Sequence, residues 1–351
     1  YVDGQAGPFE QLKGQSALGQ MHTVLSREVL GLKPDAVLGL SSGETNAILA
    51  MDLWDDLEIF LGEIANSGMY DLELAGEYRS VRKYWEREGE DVRSWADWRL
   101  LAPLDRVREI ISGERLVRLT IINTLADCVI GGEPAACERV IERIGRENAI
   151  PLGHSMAVHC PEVGEFADTW RRLHTRRTAP APAGVRFYSN YLGGAYEPTA
   201  DSIAEALTGQ ALTTIDMPRI IAQAYAEGVR VVVEHGPRGL LSGWISDILG
   251  EREHLAVAFD APGDSLRRAY FAAGQLLAAG VPVQLEALRF AEPADEPRSG
   301  FVRTYPAHRP PIRITETLMP QQPSDVQIMT PPPALAPVLF NDAPDQVATN
   351  G

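Results

Sequence analysis

Gly39-Leu40-Ser41-Ser42-Gly43 fits the pattern G-x-S-x-G, and it stands between a short apolar run, Ala36-Val37-Leu38-Gly39-Leu40, and a helix-like stretch from Thr45 to Leu53. In that setting a serine is held on a tight turn with its hydroxyl exposed, ready to act as a nucleophile. The flanking glycines are expected because side chains there would collide with the neighbouring strand and helix. Ser41 also precedes a helix amino terminus, so the Ser42 backbone N–H can point at a developing oxyanion and the helix end favours negative charge. This geometry suits acyl transfer. An inert glycine-serine loop competes evenly with it on the five residues alone, and the strand-turn-helix context favours the nucleophile.

A serine hydroxyl needs a general base, and the chain offers seven histidines: His22, His154, His159, His174, His235, His254 and His308. His22 and His174 fall inside helix-like patterns, His254 follows a charged loop and His308 lies in the tail. His159 sits in Ser155-Met156-Ala157-Val158-His159-Cys160-Pro161, a loop after a strand, where a rigid sheet presents catalytic groups. On composition it ranks only slightly above His154 and His235. The three cysteines, Cys128, Cys137 and Cys160, include no C-x-x-C pair, which argues against a disulfide framework and a cysteine-based zinc site. No metal site is expected.

The elements that must position these groups follow from periodicity. Leu18, Met21, Val24, Leu25 and Leu30 have helical spacing over 14–32, and Pro34-Asp35 breaks the pattern before the strand leading to Ser41. From Tyr78 to Arg118 the chain is charged and tryptophan-rich, with Trp85, Trp95 and Trp98, and reads as amphipathic helices over the surface. From about 117 to 190 the rhythm is that of β-α-β units forming a small sheet of their own. The apolar strand Val229 to Val233 returns the chain to the larger sheet and ends in Glu234-His235-Gly236-Pro237. Helices at 241–249 and 265–277 and a short strand at 281–283 close the globular part. Beyond Ile314 the Pro- and Gln-rich sequence reads as an interdomain linker.

With 32 basic against 48 acidic residues the formal charge is -16, which makes a nucleic-acid surface built on net positive charge an unlikely partner. The 351 residues, 45% hydrophobic and 23% charged, are enough for a real core and about two domains. The longest apolar runs fall far short of a membrane span, and the amino terminus lacks a signal-peptide pattern, so no membrane association and a cytoplasmic location are expected.

Taken together, Gly39-Leu40-Ser41-Ser42-Gly43-Glu44, the Ala157-Val158-His159 loop and Val233-Glu234-His235-Gly236-Pro237 resemble the three signature regions of the malonyl-CoA:acyl-carrier-protein transacylase family, in its order and approximate spacing. Asn123 to Gly132 and Phe187-Tyr188-Ser189-Asn190 resemble segments flanking that family's inserted ferredoxin-like subdomain. Thr304-Tyr305-Pro306-Ala307-His308-Arg309 is similar to the stretch that closes acyltransferase domains of type I polyketide synthases. Coverage runs from about residue 12 to 313. The implied fold class is α/β: an α/β-hydrolase-like large subdomain with a parallel sheet and an inserted ferredoxin-like small subdomain. The expected divisions are 1–116 and 191–290 for the large subdomain, 117–190 for the small one, 291–315 for a post-acyltransferase linker and 316–351 for a Pro-rich disordered linker.

The resemblance implies a ping-pong S-acyltransferase with no bound cofactor. An acyl-CoA acylates Ser41, and the acyl group passes to the phosphopantetheine thiol of an acyl carrier protein, with His159 moving the proton and the Ser42 N–H in the oxyanion hole. The family orients that histidine with a backbone carbonyl, so no acidic third member is named. Its second oxyanion donor comes from a G-Q-G loop well before the nucleophile. Gly4-Gln5-Ala6-Gly7 lies too close to Ser41 for that role, so the chain is expected to begin inside the domain. Ketosynthase and linker domains are the implied neighbours, with the carrier protein on the same polypeptide or synthase.

Malonyl-specific members pair an arginine with the substrate carboxylate. An ungapped count from Ser41 puts Asn66 there, and an amide cannot neutralise a carboxylate. The acyl-selecting segment reads Met156-Ala157-Val158-His159, and Leu40 replaces the usual histidine before the nucleophile. Leu40, Asn66, Met156 and Val158 are therefore the expected substrate-binding positions, in a pocket for malonyl or for another, neutral or longer, acyl group. Asn66-Ser67-Gly68 also resembles acyltransferases of lipid-making synthases, such as those for polyunsaturated chains. A serine hydrolase and a catalytically silent docking domain are the rival readings. The hydrolase is disfavoured because the best histidine precedes the last sheet strand.

Overall fold

The apolar run ahead of Ser41 contributes a strand of only two paired residues, Ala36–Val37, before the chain turns into helix Ser42–Ala50. The computed structural model describes residues 7–153, 155–260 and 265–288. Ala36 and Val37 pair in parallel with Arg186 and Phe187 of strand Arg186–Ser189, whose other edge takes Gly194–Tyr196 antiparallel. A second parallel pair joins Val231–Glu234 to Leu255–Ala258 across the crossover helix Leu240–Leu249. Parallel strands with helical crossovers bury both faces, which explains their β-branched, nearly uninterrupted apolar sequence. Leu38, Leu40, Tyr188, Val232, Ile245 and Ala256 meet in one cluster, so both strand sets share a core. The long first helix runs Pro8–Thr23 and continues as a wider turn over Val24–Val29.

A separate antiparallel layer carries the small subdomain. Strand Ala96–Leu100, helix Leu104–Ile111, strands Val117–Thr124 and Asp127–Gly132, helix Pro134–Ile144 and strand Ala149–Pro151 follow one another. In space the strand order is Ala149–Pro151, Ala96–Leu100, Asp127–Gly132, Val117–Thr124, with neighbours antiparallel. That is the β-α-β-β-α-β interleaving of ferredoxin-like sheets. Ile215–Asp216 adds a parallel fifth strand from the other side of the chain. Val107, Ile110, Val140, Ile141 and Ile144 line up at helical spacing and pack on Leu100, Ile122 and Ile130 beneath the sheet. Cys128 and Cys137 are free and buried in that core, where burial pushes both thiols up to about 12.

This topology corrects the expected division at 117–190. The first strand of the small sheet, Ala96–Leu100, comes from the tryptophan-rich stretch expected as surface helix, and Arg186–Ser189 belongs to the large sheet. Trp95 is buried in one core cluster with Trp85 and Val92, and Trp98 is half-buried against the small subdomain's core of Leu100 and Ile130, so neither ring lies on the surface. Only Arg79–Arg87 of that stretch before the strand is the amphipathic helix expected, with Val81 and Trp85 inward. The expected divisions 291–315 and 316–351, the Thr304–Arg309 motif, His154 and Gly4-Gln5-Ala6 lie outside the described residues. Among the described residues, no helix is long and apolar enough to cross a membrane.

Candidate active site

Ser41 occupies the turn between strand and helix at φ 54° and ψ -121°, a region that side chains rarely adopt. His159 also has a positive φ, 60°, at the end of its loop. Such backbone costs of order 1–3 kcal/mol per residue and persists where surrounding structure over-determines it. Both strained residues meet: His159 Nε2 lies 2.8 Å from Ser41 Oγ. On the far side of the ring, His159 Nδ1 is 2.7 Å from the Gln210 carbonyl oxygen. A carbonyl only accepts, so Nδ1 carries the proton and Nε2 presents a lone pair to the serine hydroxyl. Burial pushes His159 down to about 4, the Gln210 contact offsetting this only in part, so the imidazole is neutral near pH 7.

Gln210, in helix Ala200–Leu212, touches both members of this pair. Its side-chain amide donates to the Ser41 carbonyl oxygen at 3.2 Å while its own carbonyl holds His159. The turn is braced again from below. Asn190 Nδ2 donates to the Gly39 carbonyl (2.6 Å) and to Glu44 Oε2 (3.1 Å), and the Asn190 N–H also donates to Glu44 Oε2. Glu44 is buried, and desolvation lifts its carboxyl to about 7 despite those donors. Gly43 and Glu44 donate back to the Leu40 and Ser41 carbonyls. The Ser42 amide, at the first position of the helix, belongs to the group of N–H donors that have no intrahelical acceptor.

The His159 loop has its own supports. Tyr78 Oη donates to the Ser155 carbonyl (3.2 Å), the Met156 N–H donates to Asp97 Oδ2 (2.8 Å), and the Ala157 N–H donates to the Leu74 carbonyl (2.8 Å). Just beyond, buried Glu162 accepts from Arg118 Nε at 3.0 Å, tying the loop to the small sheet.

Ser41, Ser42 and His159 open on a cavity of about 210 Å³, together with Met156 and Val158. Two expected positions are absent from its lining. Leu40 points into the sheet core with Tyr188 and Ile245. Asn66 is exposed and borders a separate groove with Glu63, Lys83 and Arg172. Helix geometry explains the second correction. On Leu57–Asn66 the residues facing the cavity are Leu57, Phe60, Leu61 and Ile64. Asn66, two residues past Ile64, is turned by about 200° from that face. Of the other histidines, His235 packs against Thr23, His22 and Phe259 away from this lining. His174 reaches the cavity wall, stacked on Trp170 with Nδ1 bonded to the Trp170 carbonyl. Gln210 and Asp97 carry no motif that would single them out, and Glu44 and Asn190, though they end segments that resemble the family, are given no role by the sequence, because each acts through contacts remote in sequence.

No family model matches the chain. It is 26% identical over 254 residues to a subunit of the polyunsaturated fatty acid synthase of Thraustochytrium sp. (strain ATCC 26185 / S-3), covering 68% of this chain and 12% of that protein. The chain thus spans about an eighth of this curated relative. The acyltransferase domain from the second module of the salinomycin polyketide synthase superposes with a TM-score of 0.63 at 23% identity, over 80% of this chain and 62% of that one. Malonyl-CoA:acyl carrier protein transacylase (FabD) from Xanthomonas oryzae pv. oryzae KACC10331 gives 0.56 at 20% identity, over 77% of this chain and 83% of that one. The chain has the mixed α/β fold of these acyltransferase structures.

Proposed function

We propose that this chain is the acyltransferase domain of a larger fatty-acid or polyketide synthase, moving an acyl group from coenzyme A to an acyl carrier protein through Ser41. The contact that carries this reading is His159 Nε2 against Ser41 Oγ at 2.8 Å, with Nδ1 committed to a carbonyl. As Ser41 Oγ attacks the thioester carbonyl, its proton passes to His159 Nε2, and the oxygen of the tetrahedral adduct faces the Ser42 amide. The C–S bond then breaks and the imidazolium returns the proton to the coenzyme A thiolate. The phosphopantetheine thiol of the carrier protein reverses these steps: His159 takes its proton, the sulfur attacks the acyl-serine carbonyl, and Ser41 leaves reprotonated. The likeness to a carrier-protein transacylase and to synthase proteins supports a carrier protein as acceptor and a longer polypeptide around this chain, and ketosynthase and linker domains as neighbours follow only from the motif resemblance.

The test is acyl loading. Incubated with a panel of acyl-CoA donors, the protein should gain the mass of one acyl group, mapped by peptide analysis to Ser41 and discharged by a phosphopantetheinylated carrier protein. Rapid loss to water instead of transfer would favour a hydrolase, and no adduct from any donor would favour a silent docking domain.

The rate of loading carries a pH signature. An ordinary histidine, with pKa near 6.5, is about nine-tenths protonated one unit lower and useless as a base. His159 is held down to about 4, so its neutral form persists on acidification and is lost only as pH falls through that value. Initial acylation rates at about pH 7.5 and about pH 5.5 should agree within about twofold. A tenfold fall over that interval would mean a base with an unperturbed pKa.

A further inference from the structure

The balance of charge in the cavity beside Ser41 bears on whether it takes malonyl or a neutral acyl group, which the sequence leaves open. Its described lining includes no lysine and no arginine. Its apolar walls are Leu57, Phe60, Leu61, Ile64, Met69 and Val158; the polar groups among them, Gln11, Gln15, Ser16, Thr45, Tyr70 and Thr120, carry no charge, and His174 is kept neutral by burial. The one carboxyl among the lining residues is Asp97, reaching up from the first strand of the small sheet. Asp97 is fixed on three sides. Oδ1 accepts from Trp95 Nε1 at 3.0 Å and Oδ2 from the Met156 N–H at 2.8 Å. On the neighbouring strand stands Gly131, where a Cβ would lie 2.5 Å from Asp97 Oδ1. Two N–H donors, one on each oxygen, match the ionised acceptor-only form of the side chain.

We infer that Asp97 is a specificity-determining residue that turns this acyl pocket against carboxylated acyl groups, leaving neutral apolar ones as its substrates. The inference rests on the proposed function of Ser41. A malonyl carboxylate entering this cavity would leave water, meet no cation and approach a like charge, and such juxtapositions are strongly disfavoured where both groups are desolvated. A neutral acyl chain loses nothing by the same move and gains contact with the aliphatic wall. At about 210 Å³ the cavity is smaller than the usual site for a drug-sized ligand, which fits a compact acyl group rather than a whole donor molecule.

The experiment compares butyryl- with malonyl-CoA as donors, matched in size, at about pH 8. That is above the value of about 7 to which burial raises Asp97, so the ionised form dominates. The parent protein should load butyryl at least about tenfold faster than malonyl, and Asp97→Asn should narrow that ratio by about tenfold or more. Asp97 also holds the loop that carries His159, so both absolute rates can fall in the variant, but a purely structural role would lower them together and leave the ratio unmoved. An unchanged ratio, or a parent protein that loads malonyl as fast as butyryl, overturns the inference. The parent comparison can overturn it even if the variant does not fold. Efficient malonyl loading sinks this inference alone, whereas failure of every donor to load Ser41 sinks the proposed function with it.

Discussion

Ser41→Ala should give no covalent acyl adduct with any donor, and His159→Ala should slow acylation of Ser41 by about 10²–10⁴-fold while leaving the fold intact. The two losses differ in kind because one removes the atom that forms the bond and the other the lone pair that takes its proton. Ser41 Oγ and His159 Nε2 are already within hydrogen-bond distance, with the tautomer fixed from behind by the Gln210 carbonyl. Little reorganisation is therefore left to the reaction itself, and the base contributes nearly its whole effect. Both variants also relieve no backbone strain, because alanine at φ 54° or 60° is as strained as the native residue. The Ser41→Ala protein should accordingly melt near the parent temperature, whereas His159→Ala empties a buried site and leaves the Gln210 carbonyl without its donor, so its melt should fall by a few degrees while the protein stays folded at the assay temperature, and lost loading still reports chemistry. The measurements are a time course of adduct mass and a thermal melt. An adduct that persists on the Ser41→Ala protein would place the nucleophile elsewhere. An undiminished rate in His159→Ala would remove the imidazole from the proton path.

The pairing of Ser41 with His159 is legible in the sequence because Ser41 announces itself locally and the family resemblance singles out His159, which on its own residues ranks only slightly above His154 and His235. Ser41 has a strand-turn-helix context written into about ten residues, and His159 ends a loop after a strand-like run. What holds the pair together is not legible. Gln210 is 169 residues from Ser41 and 51 from His159, and nothing in Thr208-Gly209-Gln210-Ala211 distinguishes it from an ordinary helical amide. The Glu44 and Asn190 brace is hidden in the same way, since its meaning lies in a contact across 146 residues. Local pattern reveals a group whose chemistry depends on its own backbone. It is silent about a group whose chemistry depends on where a distant strand passes.

The same distinction accounts for the corrections. Counting forward from Ser41 reaches a helix that does line the cavity but selects Asn66, because a count along the chain carries no rotational phase, and two residues reverse the face of a helix. Trp95-Ala96-Asp97-Trp98 has the charge and aromatic content of a surface helix. Its residues instead lead into and form the first strand of the small sheet, with Trp95 donating to Asp97. The charge that makes the segment look solvent-facing is the buried carboxyl that lines the acyl cavity. The subdomain boundary and the pocket's polarity therefore stand or fall together. Placing that strand in the sheet brings the subdomain start back to Ala96 and the carboxylate to the active site in one step.

The two glycines of G-x-S-x-G, which look equivalent in the motif, should separate sharply on substitution. A Cβ at Gly39 would lie 2.0 Å from the Gly43 carbonyl carbon, 2.2 Å from the Glu44 nitrogen and 2.3 Å from the Gly43 oxygen. All three are backbone atoms of the helix that begins just after the nucleophile, so no side-chain rotation can make room. To admit a methyl group the strand end and the helix must part, and that movement pulls the Gly39 carbonyl from Asn190 and the Asn190 side chain from Glu44. Gly39→Ala should therefore cost more than about 3 kcal/mol of stability and reduce Ser41 loading to background, the far end of the range for overpacking. Gly43 is the reverse case. Nothing lies within 4 Å of a Cβ built there, and the residue is helical. Alanine is favoured over glycine in a helix interior by up to about 1 kcal/mol, so Gly43→Ala should melt at or slightly above the parent temperature. The check is a pair of thermal melts with loading measured on the same samples. A Gly39→Ala protein that melts and loads like the parent would mean that strand and helix do not approach as closely as their hydrogen bonds require. The turn is thus asymmetric: one glycine lets two backbones touch, and the other starts a helix that would run equally well without it.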